Sequence, residues 1–348
     1  MIILTHITSL HCLRHLGAEA VAQLPRHDFA TLGEPFDTPS EAIDRYIGFC
    51  NSFGVEPGAL HLLYPHGKHP AKCAYIRAHE TRKLPSASLV KLADGVYASS
   101  PELLFCQLAS WGSIYDAIYL AYELCGTYLH PTNESIPLSK RRAFTTKAKL
   151  DAFITSRGRF HGKTTALRAA ALVRERSASH MESAFAMLFG LPCKLGGLGF
   201  PEFEMNWEVR IPKGMQASVG RSKITVDICW PSKKVAFEYD SMQHHNTVEQ
   251  VAIDTSKRNV LMILNYNVVS FAGMQLRDKS AVLHSAEALT KALGHRSNPR
   301  GKDYLKKRHQ LEWTAFKDGA SIFASKPNAR SRRLNPERLV IESRINAE

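Results

Sequence analysis

Asp227, Glu238 and Asp240 are the residues whose type and spacing most directly suggest chemistry. In KITVDICWPSKKVAFEYDSMQHH, residues 223–245, Val226, Ile228 and Trp230 alternate with Thr225, Asp227 and Cys229. After Pro231-Ser232-Lys233-Lys234 the alternation resumes, with Val235, Phe237 and Tyr239 against Ala236, Glu238 and Asp240. Period 2 on both sides of a turn predicts a β-hairpin. With those four residues as the turn, Asp227 lies across from Glu238 with Cβ atoms roughly 5 Å apart, where like charges destabilise a sheet. Asp240 follows by two and shares the face. A solvated acidic face is the bland reading, and Cys229 and Ala236 on that same face weaken it. Crowded carboxylates need a proton, a basic partner or a cation. Mg²⁺ or Mn²⁺ is the economical choice, since such an ion takes a few carboxylate oxygens and leaves positions for water and phosphate. His244, with an imidazole pKa near about 6.5, is the candidate general base by type. The alternative for His244 and His245 is a solvent-facing pair beside a turn.

The flanking elements would position these groups. Ser179-His180-Met181-Glu182 opens a helix, ESAFAMLFGL, that ends at Gly190-Leu191-Pro192. Glu182, three residues after Ser179, has the spacing of its capping-box partner. EMNWEVRI, residues 204–211, reads as a strand. Residues 247–264 read as a helix capped by Thr247 or Asn246, with Asp254 and Arg258 spaced for a surface ion pair. The same helix could offer Lys257 or Arg258 to a phosphate. Residues 267–271 are a returning strand, and Lys279 to Leu293 a closing helix.

Taken together, Asp227, Trp230-Pro231, Glu238, Asp240, His244, Asp254, Arg258, Leu261, Tyr266 and Val268 resemble the PD-(D/E)XK nuclease superfamily. More narrowly they resemble the branch similar to very-short-patch-repair endonucleases, over about residues 177–277. The resemblance implies a restriction-endonuclease-like fold, Mg²⁺ or Mn²⁺ bound by Asp227, Glu238 and Asp240, participation of Glu182, and phosphodiester hydrolysis. The chain departs from that pattern at Ser241 and Asn265, where Gly is usual, and it carries no Lys at position 240. The identity of a catalytic base is therefore open.

The 348 residues allow two or three domains, and 44% apolar composition suffices for packed cores. The net charge of +13 is concentrated: residues 139–176 carry 11 Lys or Arg against 2 acids, and residues 296–348 carry 13 against 6. Such basic segments suit a partner bearing phosphates, with Arg141 and Arg142 as candidate nucleic-acid contacts; for the C-terminal segment a plain basic tail is the simpler reading. Seven cysteines without C-x-x-C spacing fit a reducing cytoplasm. No basic leader or long apolar run predicts a signal peptide or membrane span. His11 with His15, and His66 with His69, have spacings that could hold zinc, but no Cys or acid completes either set, so surface histidines are expected. Gly158, Gly162, Lys163 and Thr164 suggest a phosphate loop, but Arg157 stands where a Walker A motif needs Gly.

In the first 130 residues the reading is a strand at Ile2–Leu4, a helix over residues 9–16 and a helix from a Ser40 cap to Phe49. Strands follow within residues 60–97. From the Ser100-Pro101-Glu102 cap the chain turns helical. The run VYASSPELLFCQLASWGSIYDAIYLAYEL also resembles a segment of the abortive-infection antitoxin family, which implies a separate regulatory or recognition module. The expected organisation is an α/β protein: 1–130 a smaller α+β and helical module, 131–176 a basic linker ending in a helix over 166–176, 177–295 a nuclease-like mixed sheet flanked by helices, and 296–348 a basic tail. The expected function is metal-dependent endonuclease action on DNA rather than RNA. The competing reading is a non-catalytic nucleic-acid-binding regulator of antitoxin or phage-defence type.

Overall fold

The chain is an α/β protein with a six-stranded mixed sheet and a four-stranded mixed sheet. Its computed structural model describes residues 1–33, 35–68, 72–128, 142–240, 248–273, 275, 279–295 and 303–316. Among these, one compact unit is formed by 1–124 with 142–173, and a second by 125–128 with 174–316.

In the first unit, β1 (Ile2–Leu4) runs parallel to β6 (Val96–Ser99) and antiparallel to β3 (Leu60–Pro65). β3 pairs in parallel with β4 (Ile76–Thr81). β5 (Leu89–Ala93) and the short β2 (Arg26–His27) complete the order β2-β5-β6-β1-β3-β4. α1 (His6–Gln23) is longer than the expected 9–16 and is kinked at Gly17, whose φ of 79° is non-helical. α2 (Pro39–Phe53) starts two residues earlier than the Ser40 cap suggested. Thr38 and Glu41 make a reciprocal capping box with Pro39 in the first turn. Ile2, Leu4, Tyr46, Leu60, Leu62 and Val90 form the core between α2 and one sheet face.

The expected cap at Ser100 is present: its Oγ accepts the Leu103 amide at 3.2 Å and opens α3 (Pro101–Leu108), followed by α4 (Ile114–Cys125). The described part of the basic stretch is not a linker. α5 (Lys147–Ser156) and α6 (Lys163–Leu172) pack on α3 and belong to the first unit. α6 ends at Leu172 rather than 176, since Val173 is extended and Arg176 takes φ 70°. The N-terminal unit, expected to be the smaller, carries the larger sheet.

The second unit begins with α7 (His180–Gly190). β7 (Glu204–Arg210), β8 (Lys223–Trp230) and β9 (Val235–Asp240) form an antiparallel meander, and α8 (Lys213–Val219) fills the first connection. α9 (Val248–Ile263) crosses over to β10 (Asn267–Ala272), which pairs in parallel with β9. α10 (Lys279–Leu293) has the expected bounds. α11 (Tyr304–Ala315), expected to lie in a tail, packs against α7. The hairpin pairs Ile228 with Phe237, Cys229 with Ala236 and Trp230 with Val235, the register expected from a four-residue turn at 231–234, and its ladder stops short of the expected Asp227–Glu238 pair. Its turn is a 3-10 helix, Pro231–Lys233, closed by Lys234 at φ 50°.

Neither face of this sheet is left to water. On one, Phe237, Tyr239, Phe271 and Trp230 meet Phe185 and Phe189 of α7, with ring centroids 4.8–6.4 Å apart. On the other, Cys229 and Ala236 are buried in one cluster with Val260 and Leu261 of α9. A two-sided cover explains the near-continuous apolar run of β8 and β9 and makes any charge beneath α9 expensive.

Candidate functional site

That charge is present. The β8–β9 ladder stops at Ile228 and Phe237, and beyond it Asp227 Oδ2 accepts the Tyr239 backbone amide at 2.7 Å. The side chain replaces a ladder bond and fixes its own carboxylate at the mouth of the hairpin. Glu238 is buried, and its Oε2 accepts from Lys257 Nζ at 2.6 Å while Oε1 is enclosed with no hydrogen-bond partner. Asp240, two residues on and more exposed, accepts from Arg258 at 2.5 Å. Consecutive residues of α9 thus deliver two cations to alternate residues of β9.

Glu182 sits at the start of α7, as the capping reading expects, and feels the charge of Asp227. Its amide donates to Ser179 Oγ at 3.1 Å, which caps α7. Its carboxylate accepts from the Ala178 amide at 2.8 Å and from Asn206 Nδ2 at 2.5 Å. Asn206 lies on β7 with φ 47°, and its side chain also donates to Arg176 O. Burial, joined by the charge of Asp227, raises the Glu182 carboxyl to about 8 against its hydrogen bonds. Burial and the charge of Asp227 likewise lift Glu238 to about 8 in spite of Lys257. Asp227 is itself raised by burial, opposed by the Tyr239 amide and Lys257. Three carboxylates that sense one another while buried are under-neutralised by one lysine.

The orphaned Glu238 Oε1, the Asp227 carboxylate beside it and the acceptor-only chemistry of both fit a hard divalent cation such as Mg²⁺ or Mn²⁺. Asp240, expected as a third ligand, is instead engaged by Arg258. Lys257 and Arg258, expected to face phosphates, hold the acids of β9. Arg142 is exposed. His244, His245, Arg141, the cap at 246–247 and the side chain of Asp254 lie outside the described residues.

A groove of about 1040 Å³ runs along the β7–β8 side of the unit, lined by Arg176, Arg210, Lys223, Lys234, Trp207 and Tyr266 among others. Of the histidine pairs picked by spacing, His11 and His15 bond the Glu56 and Phe53 carbonyls, at 3.1 and 2.9 Å, and His66 pairs with Glu80, while His69 lies outside the described residues. The histidines that do converge, His6, His61 and His79, come from three separate segments, so spacing could not reveal them. All seven cysteines are free. Among the described residues no helix is long and apolar enough to cross a membrane.

No family model, no curated protein and no solved structure matches the chain.

Proposed function

We propose that the second unit is a metal-dependent endonuclease acting on DNA. The observation that carries the reading is the buried, partnerless Glu238 Oε1 beside Asp227, with Lys257 of α9 closing the set. Asp227 and Glu238 would hold Mg²⁺ or Mn²⁺. When bound, such an ion polarises a phosphoryl oxygen and lowers the pKa of a coordinated water.

The protein's own groups account for the rest. The Tyr239 amide fixes the Asp227 carboxylate before substrate arrives, so little reorganisation is needed at the moment of reaction. Lys257 supplies the ammonium that the PD-(D/E)XK pattern expects at position 240, carried here on a helix. Its positive charge faces the same carboxylates and is available to a developing phosphorane oxygen. Asp240 positions Arg258, whose guanidinium suits a flanking phosphate. Glu182, within the field of Asp227, holds its proton at neutral pH and would give it up when a cation settled beside it. The groove lined by Arg176, Arg210, Lys223 and Lys234 supplies further phosphate contacts.

The test is incubation of the purified chain with supercoiled plasmid and Mg²⁺ or Mn²⁺, beside Asp227→Asn and Glu238→Gln. Cleavage that needs the divalent ion and disappears in both variants is expected. Undiminished DNA binding without cleavage under any divalent ion would establish the non-catalytic regulator instead, and cleavage confined to RNA would move the substrate class.

A further inference from the structure

The first unit holds a second constellation with no part in that reading. His6 follows directly on the end of β1 and Thr5, while His61 lies on β3 and His79 on β4. In the parallel β3–β4 register His61 pairs with Arg77 and Leu63 with His79, so the two histidines share a sheet face one step apart. Each of the three rings presents a nitrogen within 4.8 Å of the other two, and His61 Nδ1 lies 3.0 Å from His79 Nε2. His6 and His61 are buried.

Packing alone does not require three imidazoles here. Trp111 lies over the group with centroids at 4.5–5.7 Å, and Arg77 covers the Trp111 ring at 5.2 Å. An apolar ring would satisfy that box without burying nitrogen atoms. His6 also holds φ 50°, a conformation unfavourable for a residue with a Cβ and retained where surroundings impose it. Its Nδ1 is 3.1 Å from Thr5 Oγ1, which in turn accepts from Ser99 Oγ at 3.2 Å. A partner on one ring nitrogen fixes the tautomer and aims the other, the arrangement typical of metal-binding histidines.

Beside His6 and His79 opens a pocket of about 480 Å³, with Arg157, Arg159, Arg82 and Lys83 in its wall. Arg157 stacks over Phe160 at 4.5 Å and keeps Nη1 buried without a hydrogen-bond partner. We propose that His6, His61 and His79 bind one divalent transition-metal ion of the zinc class, with the coordination position toward Arg157 open to an anion such as phosphate. Three neutral imidazoles leave the ion its full double charge, and the surrounding guanidinium groups add to it. An anionic fourth ligand is therefore the one the electrostatics favour. Imidazole donors select zinc, or cobalt, nickel and copper, over the magnesium class that suits the carboxylates of the second unit. Burial holds all three rings below the ordinary imidazole range, hence in the uncharged form that ligates.

The experiment uses the full chain loaded with zinc in excess Mg²⁺ and read by X-ray absorption, which distinguishes imidazole from carboxylate ligands. One zinc per chain with imidazole scattering is expected, unchanged in Asp227→Asn. His61→Gln and His79→Gln should each weaken zinc binding by on the order of 100-fold or more, since even an outer hydrogen-bond partner is worth roughly 10–100-fold. His79→Cys should retain the ion and add sulfur scattering, which a packing role would not produce and which serves should a Gln variant fail to fold. Oxygen-only scattering, or zinc content indifferent to these substitutions, overturns the metal site. With cobalt in place of zinc, inorganic phosphate should shift the visible ligand-field bands, and Arg157→Gln should abolish the shift. Bands that do not respond to phosphate overturn the open position.

Discussion

Glu238 illustrates how much one enclosed oxygen can determine. Because burial and Asp227 raise its carboxyl from 4.5 to about 8, the folded chain binds a proton there that the unfolded chain has already released. That contribution to metal-free stability is full below about 4.5 and is lost as pH rises through about 8, where Glu182 adds a parallel loss. Thermal melts without divalent ions should show Tm falling between those values, and Glu238→Gln should flatten the fall while raising Tm at pH 8. Added Mg²⁺ should restore stability most at the alkaline end, since binding displaces the proton. Lys257→Met removes the cation from Glu238 and should lower plasmid cleavage by on the order of 100-fold, with metal-free stability at pH 8 reduced. The acids were legible because strand period 2 fixes both register and face. Lys257 as their partner was not, because a helix position meets a strand position only where tertiary packing places the helix. The three histidines were hidden for the same reason: β1, β3 and β4 meet through the sheet rather than through sequence.

Among the elements, the stretch after α7 is the most constrained. Gly196 has φ 80°, and a Cβ there would lie 2.5 Å from the Arg308 backbone nitrogen of α11. At Gly197 it would fall 1.9 Å from the Leu191 carbonyl oxygen. Close approach of α11 to this turn is therefore built on missing side chains, and Arg308 Nη1 reaches the Gly196 carbonyl at 3.4 Å. Gly196→Ala should destabilise the second unit by on the order of 3 kcal/mol, with amide hydrogen exchange in α11 rising first. Glycine's role here could not be read from GGLG alone, since its neighbour arrives more than a hundred residues later. Helix α7 shows the opposite: Ser179 and Glu182 announce its start in sequence, and α10 matched its pattern from end to end. α6 fell short because Val173 is extended and Arg176 takes the left-handed region, a choice made by Arg176 bonding the Asn206 carbonyl at 2.8 Å.

For the whole molecule, a net charge of +13 makes phosphate binding salt-sensitive. A plot of log K for duplex DNA against log salt should be steep, and Arg141→Glu with Arg142→Glu should flatten it; an unchanged slope would leave the basic stretch without a role in binding. Composition and charge give only the expectation of a phosphate-bearing partner, and the six-stranded sheet of the first unit was only partly visible. β5 was not separated from its neighbours, and the basic stretch carries helices that earn their place by packing on α3. The meander and crossover around the site also set a timetable. β8 and β9 are joined by a four-residue turn and close early, whereas α9 and β10 enclose a long loop whose entropy must be overcome first. A refolding chain therefore brings Asp227 and Glu238 together before Lys257 arrives. In stopped-flow refolding without divalent ions, the rate should rise as pH is lowered from 8 to 5, and Mg²⁺ should accelerate the reaction at pH 8 but hardly at pH 5. Lys257 completes the charge balance only at the end, so the order of assembly makes proton or metal uptake an early folding event rather than a late one.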